Sequence, residues 1–181
     1  MHRLIVMFVL LAGCAANPPA PGPSASYRDA NAPFSSIALF EPERFAGRWY
    51  EIARYPVPFQ NGCGATVAQY TSRTDGTFAV VNTCREGGAD SPVRQIEGSA
   101  RMIGPGRLDV QFDSAPSLSS PYWVLWVDEG YRTAVIGVPS GRAGWILNRD
   151  PVIPPDRLAA AREILDFNGY DLTRLEMVHK Q

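Results

Sequence analysis

The chain has 181 residues and a formal net charge of −1, since 17 basic side chains nearly balance 18 acidic ones. This length suffices for one domain with a sizeable hydrophobic core. The even charge balance, without a cluster of Lys or Arg, counts against a nucleic-acid partner.

The chain begins with a segment that has the composition of an export signal. Residues 1–13 give a short basic start and then an apolar run that is too short to span a bilayer. Cys14 follows directly in LAGC, which resembles the lipobox of bacterial lipoproteins. That resemblance implies cleavage before Cys14 and acylation of its thiol and new amine, for example by palmitate. Several acyl chains would anchor the chain stably in a membrane. An ordinary signal peptide that contains a cysteine is the alternative.

Residues 14–33 are interpreted as the lipidated cysteine and a linker, and residues 34–181 as the folded domain. Residues 15–33 contain five prolines and no apolar periodicity, as is typical of a linker. The residue after the cysteine is Ala15 rather than an aspartate, and in this lipoprotein class that implies the outer membrane. We therefore expect a lipid-anchored protein on the periplasmic face of a bacterial outer membrane.

From residue 47 to residue 151 the sequence predicts eight short strands. The runs are GRWYEIARYP, GATVAQYTS, GTFAVVNTC, VRQIEGSARMI, GRLDVQFD, YWVLWVD, YRTAVIGV and AGWILNRD. Their spacing of about a dozen residues, with Gly and Pro in the turns, favours antiparallel up-and-down order. Eight such strands close into a β-barrel whose lumen holds packed side chains or one small ligand. The predicted fold is therefore all-β, an eight-stranded antiparallel up-and-down barrel.

Two cysteines lie on either side of the second turn. A hairpin centred on Asp75 and Gly76 would bring Cys63 and Cys84 close together, and an exported protein can keep a disulfide. Simple alternation does not place both thiols on the same face, so the pairing requires a bulge at Gly64. Two free thiols are the alternative.

One α-helix is predicted after the barrel, at residues 154–169. The segment begins with prolines, repeats apolar residues at helical spacing and ends at a glycine. Its apolar stripe can cover the outer face of the first strand, where Tyr50 and Ile52 lie opposite Trp49. Residues 172–178, LTRLEMV, predict a short ninth strand beside the first.

Closure of the barrel predicts one contact between distant residues. Trp49 lies near the start of the first strand and Arg149 at the end of the eighth, and these two strands pair when the barrel closes. A guanidinium over an indole face is a favourable cation–π arrangement of about 1 kcal/mol. A solvated arginine at a strand end is the alternative.

Three motifs, in order, resemble those of the lipocalin family. GRWYEIARYP resembles the first, with Gly47 and Trp49; YWVLWVDEGY resembles the second, with Asp128 and Tyr131; WILNRDP resembles the third, with Arg149. These motifs are similar to those of bacterial outer-membrane members and of the apolipoprotein D branch. It implies a calyx that binds a lipophilic molecule without a cofactor. For the bacterial members it implies fatty acids or lysophospholipids and a role in envelope maintenance.

Strand parity predicts which side chains line the calyx. Most are apolar, and small ones on the second and fourth strands leave volume for a ligand. The predicted lining is Glu51, Ala53, Ala68, Tyr70, Val80, Asn82, Ile96, Ala100, Val110, Phe112, Tyr122, Val124, Trp126, Ile136, Trp145 and Leu147. The predicted open rim consists of connections 56–63, 86–92, 114–120 and 139–142. The alternative is that Phe112, Trp126 and Trp145 pack the barrel shut.

The polar side chains of this lining are costly to bury unless they have partners. Glu51, Asn82, Tyr70 and Tyr122 must therefore bond one another or face a ligand head group. A carboxylate at Glu51 would repel a fatty acid and suit a zwitterionic choline or ethanolamine head. The alternative is that Glu51 pairs with an arginine such as Arg132 or Arg101.

The side chains available favour a binding protein over an enzyme or a metal site. After removal of the signal, His179 is the one histidine, close to the C-terminus, whereas a metal site or a nucleophile needs several groups in reach. One alternative is a lipocalin-fold enzyme that uses a free thiol at Cys84. Another is a protein-interaction module or homodimer, since Trp123, Leu125 and Val127 give the sixth strand a second apolar face.

Overall fold

The computed structural model describes residues 26–86, 91–117 and 119–178. The predicted signal peptide, Cys14, most of the predicted linker and His179 lie outside these ranges. The strands are β1 Gly47–Arg54, β2 Cys63–Ser72, β3 Thr77–Glu86, β4 Val93–Gly104, β5 Arg107–Phe112, β6 Ser119–Val127, β7 Thr133–Gly137, β8 Gly144–Asn148 and β9 Glu176–Met177. The helices are α1 Pro42–Phe45 and α2 Pro155–Phe167, with 3₁₀ turns at Pro58–Gln60 and Leu172–Arg174.

Strands β1 to β8 form a closed antiparallel barrel. Each strand pairs with the next along the chain, and β1 pairs with both β2 and β8. Strand β9 lies outside the ring and pairs with β1 at residues 53–54. The eight-stranded barrel, the helix after it and the short ninth strand confirm the predicted fold.

The protein has two main hydrophobic cores, one on each side of the barrel wall. The inner core fills the half of the barrel around Trp49, and the outer core lies between the wall and α2. Ile52 of β1 is buried in the outer core together with Ala161 and Leu165 of α2. Both faces of β1 are therefore buried, with Trp49 in the inner core and Ile52 in the outer core, but α2 packs mainly on β7 and β6 rather than on β1 as expected.

The segment before the first motif also packs on the barrel. Tyr27 is buried in the outer core, and its amide donates a hydrogen bond to the carbonyl of Gly141 at 2.7 Å. The Arg28 guanidinium lies 4.6 Å from the ring centroid of Phe34 and donates to the carbonyl of Asn168. Residues 26–33, which were assigned to the linker from the sequence, thus pack against the barrel.

The apolar face of β6 is covered by the chain itself. Trp123 stacks on Phe34 with ring centroids 5.2 Å apart, and the Arg107 guanidinium lies 4.4 Å from the Trp123 ring centroid. Leu125 is buried in the outer core, whereas Val127 packs against the inner one. This face therefore offers no open patch on which to base a homodimer.

Bulges in β1 and β6 invert the alternation of side chains and make two predictions wrong. In β1 the register shifts between Glu51 and Ala53, so Ala53 pairs with Ile146 and faces the outer core. In β6 it shifts between Val124 and Trp126, so Trp126 also packs outside. One extra residue in a strand exchanges the inward and outward positions after it. Ala53 and Trp126 therefore do not line the calyx.

The closed end of the barrel is held by Arg149. Its guanidinium carbon lies 3.8 Å from the Trp49 ring centroid, which confirms the predicted contact. The same guanidinium donates to the carbonyls of Arg44 and Arg48, both at 2.7 Å, and of Ala46 at 2.9 Å. The short helix α1 is thereby fixed across the end of the barrel.

The other motif residues shape the same end. Gly47 has a φ of +99°, and a Cβ atom there would lie 3.1 Å from Arg149 Nη1, so the close approach of the guanidinium requires glycine. The Asp128 carboxylate accepts hydrogen bonds from the amides of Arg132 and Thr133 in the turn before β7. The Tyr131 hydroxyl accepts one from the Glu41 amide at 2.8 Å.

In the described ranges, no helix is long and apolar enough to cross a membrane.

Replacing Arg149 with Ala should lower the free energy of unfolding by about 2–4 kcal/mol, because several carbonyls lose their donor and Trp49 loses its cation. Urea unfolding measures the change. Arg107→Ala is the matched control, since Arg107 also covers a tryptophan but is exposed and bonds to Ser36. It should cost less than about 1 kcal/mol. Equal losses in the two variants would contradict the role given to Arg149.

Candidate functional site

The half of the barrel away from Trp49 holds a cavity of about 400 Å³. Its walls come from β1, β2, β3, β5, β6 and β8, and its rim from the β1–β2 and β7–β8 connections. Trp49, Phe45 and Phe78 are buried in the inner core below it. The barrel is therefore neither an empty tube nor packed shut, because one half is filled and the other is hollow.

Most of the predicted lining residues lie on the walls of this cavity. They are Glu51, Ala68, Tyr70, Val80, Asn82, Val110, Phe112, Tyr122, Trp145 and Leu147. Ala100, Val124 and Ile136 face inward as predicted but are buried in the filled half. Ile96 is not part of the cavity lining. Strand parity thus identified the inner face but not the depth at which the cavity ends.

Several lining residues were not predicted individually. They are Val57, Pro58, Phe59, Gln60, Thr66, Ser120, Pro121, Val138, Ser140, Arg142 and Ala143. Those at 57–60, 120, 140 and 142 belong to connections that were predicted to form the rim. Thr66 has the same parity as Ala68 and Tyr70, so alternation along β2 could have found it. Of the predicted rim at 86–92, residues 87–90 lie outside the described part of the chain.

Glu51 is buried in the cavity wall within a hydrogen-bond network. Its carboxylate accepts from Arg54 Nη1 at 3.0 Å and from Gln60 Nε2 at 2.7 Å, and Gln60 Oε1 accepts from Trp145 Nε1 at 3.1 Å. Burial raises the pKa of Glu51 to about 7, although Gln60 and Arg54 act in the opposite direction. This carboxyl is therefore close to half-protonated at neutral pH.

The arginine that pairs with Glu51 is neither of the two that were expected. Arg132 pairs with Asp150, and Arg101 lies 4.0 Å from Asp109. The partner is Arg54, three residues further along β1. Simple alternation along β1 would place Arg54 on the face opposite Glu51, but the bulge between Glu51 and Ala53 brings both side chains to the same face.

Two tyrosine hydroxyls meet across the cavity. Tyr70 Oη donates to Tyr122 Oη at 2.9 Å. Burial raises the pKa of both phenols above the ordinary value, so both are neutral at physiological pH. The wall of the hollow half is therefore mainly apolar, and its polar groups include this hydroxyl pair and the Glu51 network.

Cys63 and Cys84 form a disulfide at the open end, with Cα atoms 5.4 Å apart. The register of β2 and β3 shifts between Cys63 and Ala65, which is the bulge at Gly64 that the pairing required. Because the Cys84 sulfur is bonded to Cys63, the hypothesis of a free nucleophilic thiol at Cys84 loses its reactive group.

Comparison with known proteins agrees with this architecture. The sequence model of the family described as "Lipocalin-like domain" matches residues 40–180. Temperature-induced lipocalin-1 of Arabidopsis thaliana is 38% identical over 143 residues, which cover 74% of this chain and 75% of that protein. Apolipoprotein D of Bos taurus is 34% identical over 145 residues, or 75% of each chain.

Solved structures share the fold at low sequence identity. Lobster apocrustacyanin A1 superposes with a TM-score of 0.64 at 18% identity, covering 89% of this chain and 90% of that one. Insecticyanin from the tobacco hornworm Manduca sexta also gives a TM-score of 0.64 at 18% identity, covering 87% and 88%.

The raised pKa of Glu51 predicts a pH-dependent stability. The folded protein holds the Glu51 proton more tightly than the unfolded chain, so rising pH favours unfolding between about pH 4.5 and 7. Relative to Glu51→Gln, the wild type should lose stability across this window and change little on either side. Urea unfolding at a series of pH values measures the difference. Glu163→Gln, on the exposed side of α2, is the control. If the stability difference between wild type and Glu51→Gln depends on pH no more than the difference for this control, the raised pKa of Glu51 is contradicted.

The disulfide should stabilise the fold without taking part in binding. Replacing both cysteines with serine is expected to lower the free energy of unfolding by about 3 kcal/mol, because the loop between them is no longer closed in the unfolded chain. Thiol titration of the unreduced protein without its signal and Cys14 should detect no free thiol. A reactive thiol at Cys84 in that protein would restore the enzymatic alternative.

Proposed function

The chain belongs to the lipocalin family, and from that premise we propose that it binds a single-chain amphiphile, a fatty acid or a lysophospholipid. Lipocalins bind small hydrophobic ligands in the calyx of the barrel. In this proposal the protein carries or stores its ligand at the outer membrane of a bacterium and so contributes to maintenance of the envelope.

The observation that carries the proposal is the hollow half of the barrel. Its volume of about 400 Å³ is bounded largely by apolar side chains, including Val80, Val110, Phe112 and Leu147. Transfer of an alkyl chain from water into such a wall is favourable by about 0.8 kcal/mol for each buried CH₂ group. A lipid with one acyl chain therefore fits the chemistry of the cavity.

The head group is expected at the rim. Arg142 lines the mouth and is exposed to solvent, so its guanidinium can meet a carboxylate or a phosphate. Glu51 is deeper, and its contacts with Arg54 and Gln60 reduce the repulsion that an isolated carboxylate would exert on an anionic lipid. Both a fatty acid and a lysophospholipid are compatible with this arrangement.

Anchoring through an acylated Cys14 would bring the mouth close to the lipid. Tyr27 is tied to the open end, since its amide donates to Gly141 and its hydroxyl donates to the Pro56 carbonyl at 2.6 Å. The eleven residues 15–25 can span at most about 40 Å. A tether of this length, starting beside the calyx mouth, supports exchange of ligand with the membrane.

The primary experiment is native mass spectrometry of the protein extracted from its own membrane. A retained fatty acid or lysophospholipid should appear as a defined increment in mass, and lipidation at Cys14 should appear in the N-terminal peptide. Recovery of a ligand from another chemical class would overturn the proposed ligand. An unmodified Cys14 would overturn the anchor.

Filling the calyx should abolish binding. Ala68 lines the cavity, and Ala68→Trp would fill part of the cavity with an indole. The affinity for palmitate or lysophosphatidylcholine should therefore fall at least tenfold. Displacement of a fluorescent fatty acid measures it. The control is Thr71→Trp, at an exposed position of the same strand. If both variants bind like the wild type, the ligand does not occupy the calyx.

A further inference from the structure

Two buried polar atoms in the calyx wall have no hydrogen-bond partner among the described residues. Across the described ranges, the buried side-chain oxygens and nitrogens without a hydrogen bond are Tyr55 Oη, Thr66 Oγ1 and Asn82 Oδ1. Tyr55 belongs to the outer core, whereas Thr66 and Asn82 both line the cavity. Thr66 is only 4% exposed. Since buried polar groups are normally hydrogen-bonded, two orphan atoms on one cavity wall require an explanation.

Thr66 and Asn82 are close neighbours in the sheet. Thr66 pairs with Cys84 across β2 and β3, and Ala68 pairs with Asn82. Thr66 and Asn82 are therefore diagonal neighbours on the inner face, about 7 Å apart at their backbones. Ala68 beside them is small, so a group inside the cavity can approach both.

From this geometry we propose that Thr66 and Asn82 form a subsite for a hydroxyl group carried on the buried, apolar part of the ligand. The inference rests on the proposed lipid-binding function and narrows the ligand class to a hydroxylated acyl chain. A ligand hydroxyl can donate to Asn82 Oδ1 and accept from the Thr66 hydroxyl. A plain acyl chain leaves both oxygens unsatisfied.

The neighbouring charges favour a neutral group at this position. The Glu51 carboxylate is occupied by Arg54 and Gln60, and the Tyr70 hydroxyl is bonded to Tyr122. A ligand carboxylate at this depth would face the Asn82 acceptor oxygen and the Glu51 carboxyl. A hydroxyl offers both a donor and an acceptor without adding charge to the interior.

The test compares stearate with 3-hydroxy-, 10-hydroxy- and 12-hydroxystearate. Wild-type protein should bind at least one hydroxylated acid about tenfold or more tightly than stearate, because a site built for a hydroxyl discriminates against the analogue that lacks it. Displacement of a fluorescent fatty acid, checked by calorimetry, gives the affinities. The three hydroxyl positions sample different depths along the acyl chain in the cavity.

The variant is Thr66→Val with Asn82→Leu, which removes both polar groups at nearly constant volume. It should lose the preference for the hydroxylated acid while stearate binds at least as tightly as before. Each single variant should lose part of the preference, and thermal unfolding verifies that each one is folded. Thr83→Val, next to Asn82 but outside the cavity lining, is the matched control and should keep the preference.

The outcomes separate this inference from the function on which it rests. Equal affinities for stearate and every hydroxystearate in the wild type, or a preference that survives in the double variant, would overturn the hydroxyl subsite and leave lipid binding intact. Failure of the wild type to bind stearate, the hydroxystearates and lysophosphatidylcholine alike would overturn the lipid carrier and the subsite together.

Discussion

The pairing of β1 with both β2 and β8 is the constraint from which the rest of the structure follows. The first half of β1 bonds to β2 at residues 47–50, and the second half bonds to β8 at residues 50–54. One strand thus closes the ring and leaves the barrel without an open edge. Because β1 is part of the wall, Trp49 faces the lumen and Ile52 faces outward, into the outer core. Arg149 then reaches across the closure and fixes the end of the barrel at Trp49.

The division of the barrel into a filled and a hollow half follows from the sizes of its inward side chains. Around Trp49, the rings of Phe45, Tyr70 and Phe78 contact one another and leave no room for a ligand. Nearer the open end, Thr66 and Ala68 are smaller and the volume is not filled. The rim is held from outside, where the Tyr170 hydroxyl accepts from the Val138 amide and lies 2.9 Å from the Ala143 carbonyl. The outer core therefore supports the loop that borders the cavity.

Alternation along the sequence was sufficient to predict the strands, the closure of the barrel and most of the residues that line the cavity. It did not assign every residue to the correct face of its strand. Ala53 and Trp126 were misplaced because bulges in β1 and β6 add a residue that periodicity alone does not mark. The bulge at Gly64 could be anticipated because a disulfide requires both cysteines on one face, which simple alternation does not give. Gln60 comes from a connection without any period, so its bond to Glu51 could not be read from the sequence.

The placement of polar groups in the hollow half bears on how an amphiphile would be oriented. Arg142 is exposed at the mouth, whereas Glu51 is buried further in and already paired with Arg54. An anionic head would be attracted at the mouth and would gain no free cation from Arg54 by going deeper, because the Arg54 guanidinium is also bonded to the Cys63 carbonyl at 2.8 Å. Desolvating an anion beside Glu51 would add a large cost. An amphiphile would therefore enter with its apolar end first, and only neutral hydrogen-bonding groups on that end would be accommodated without penalty.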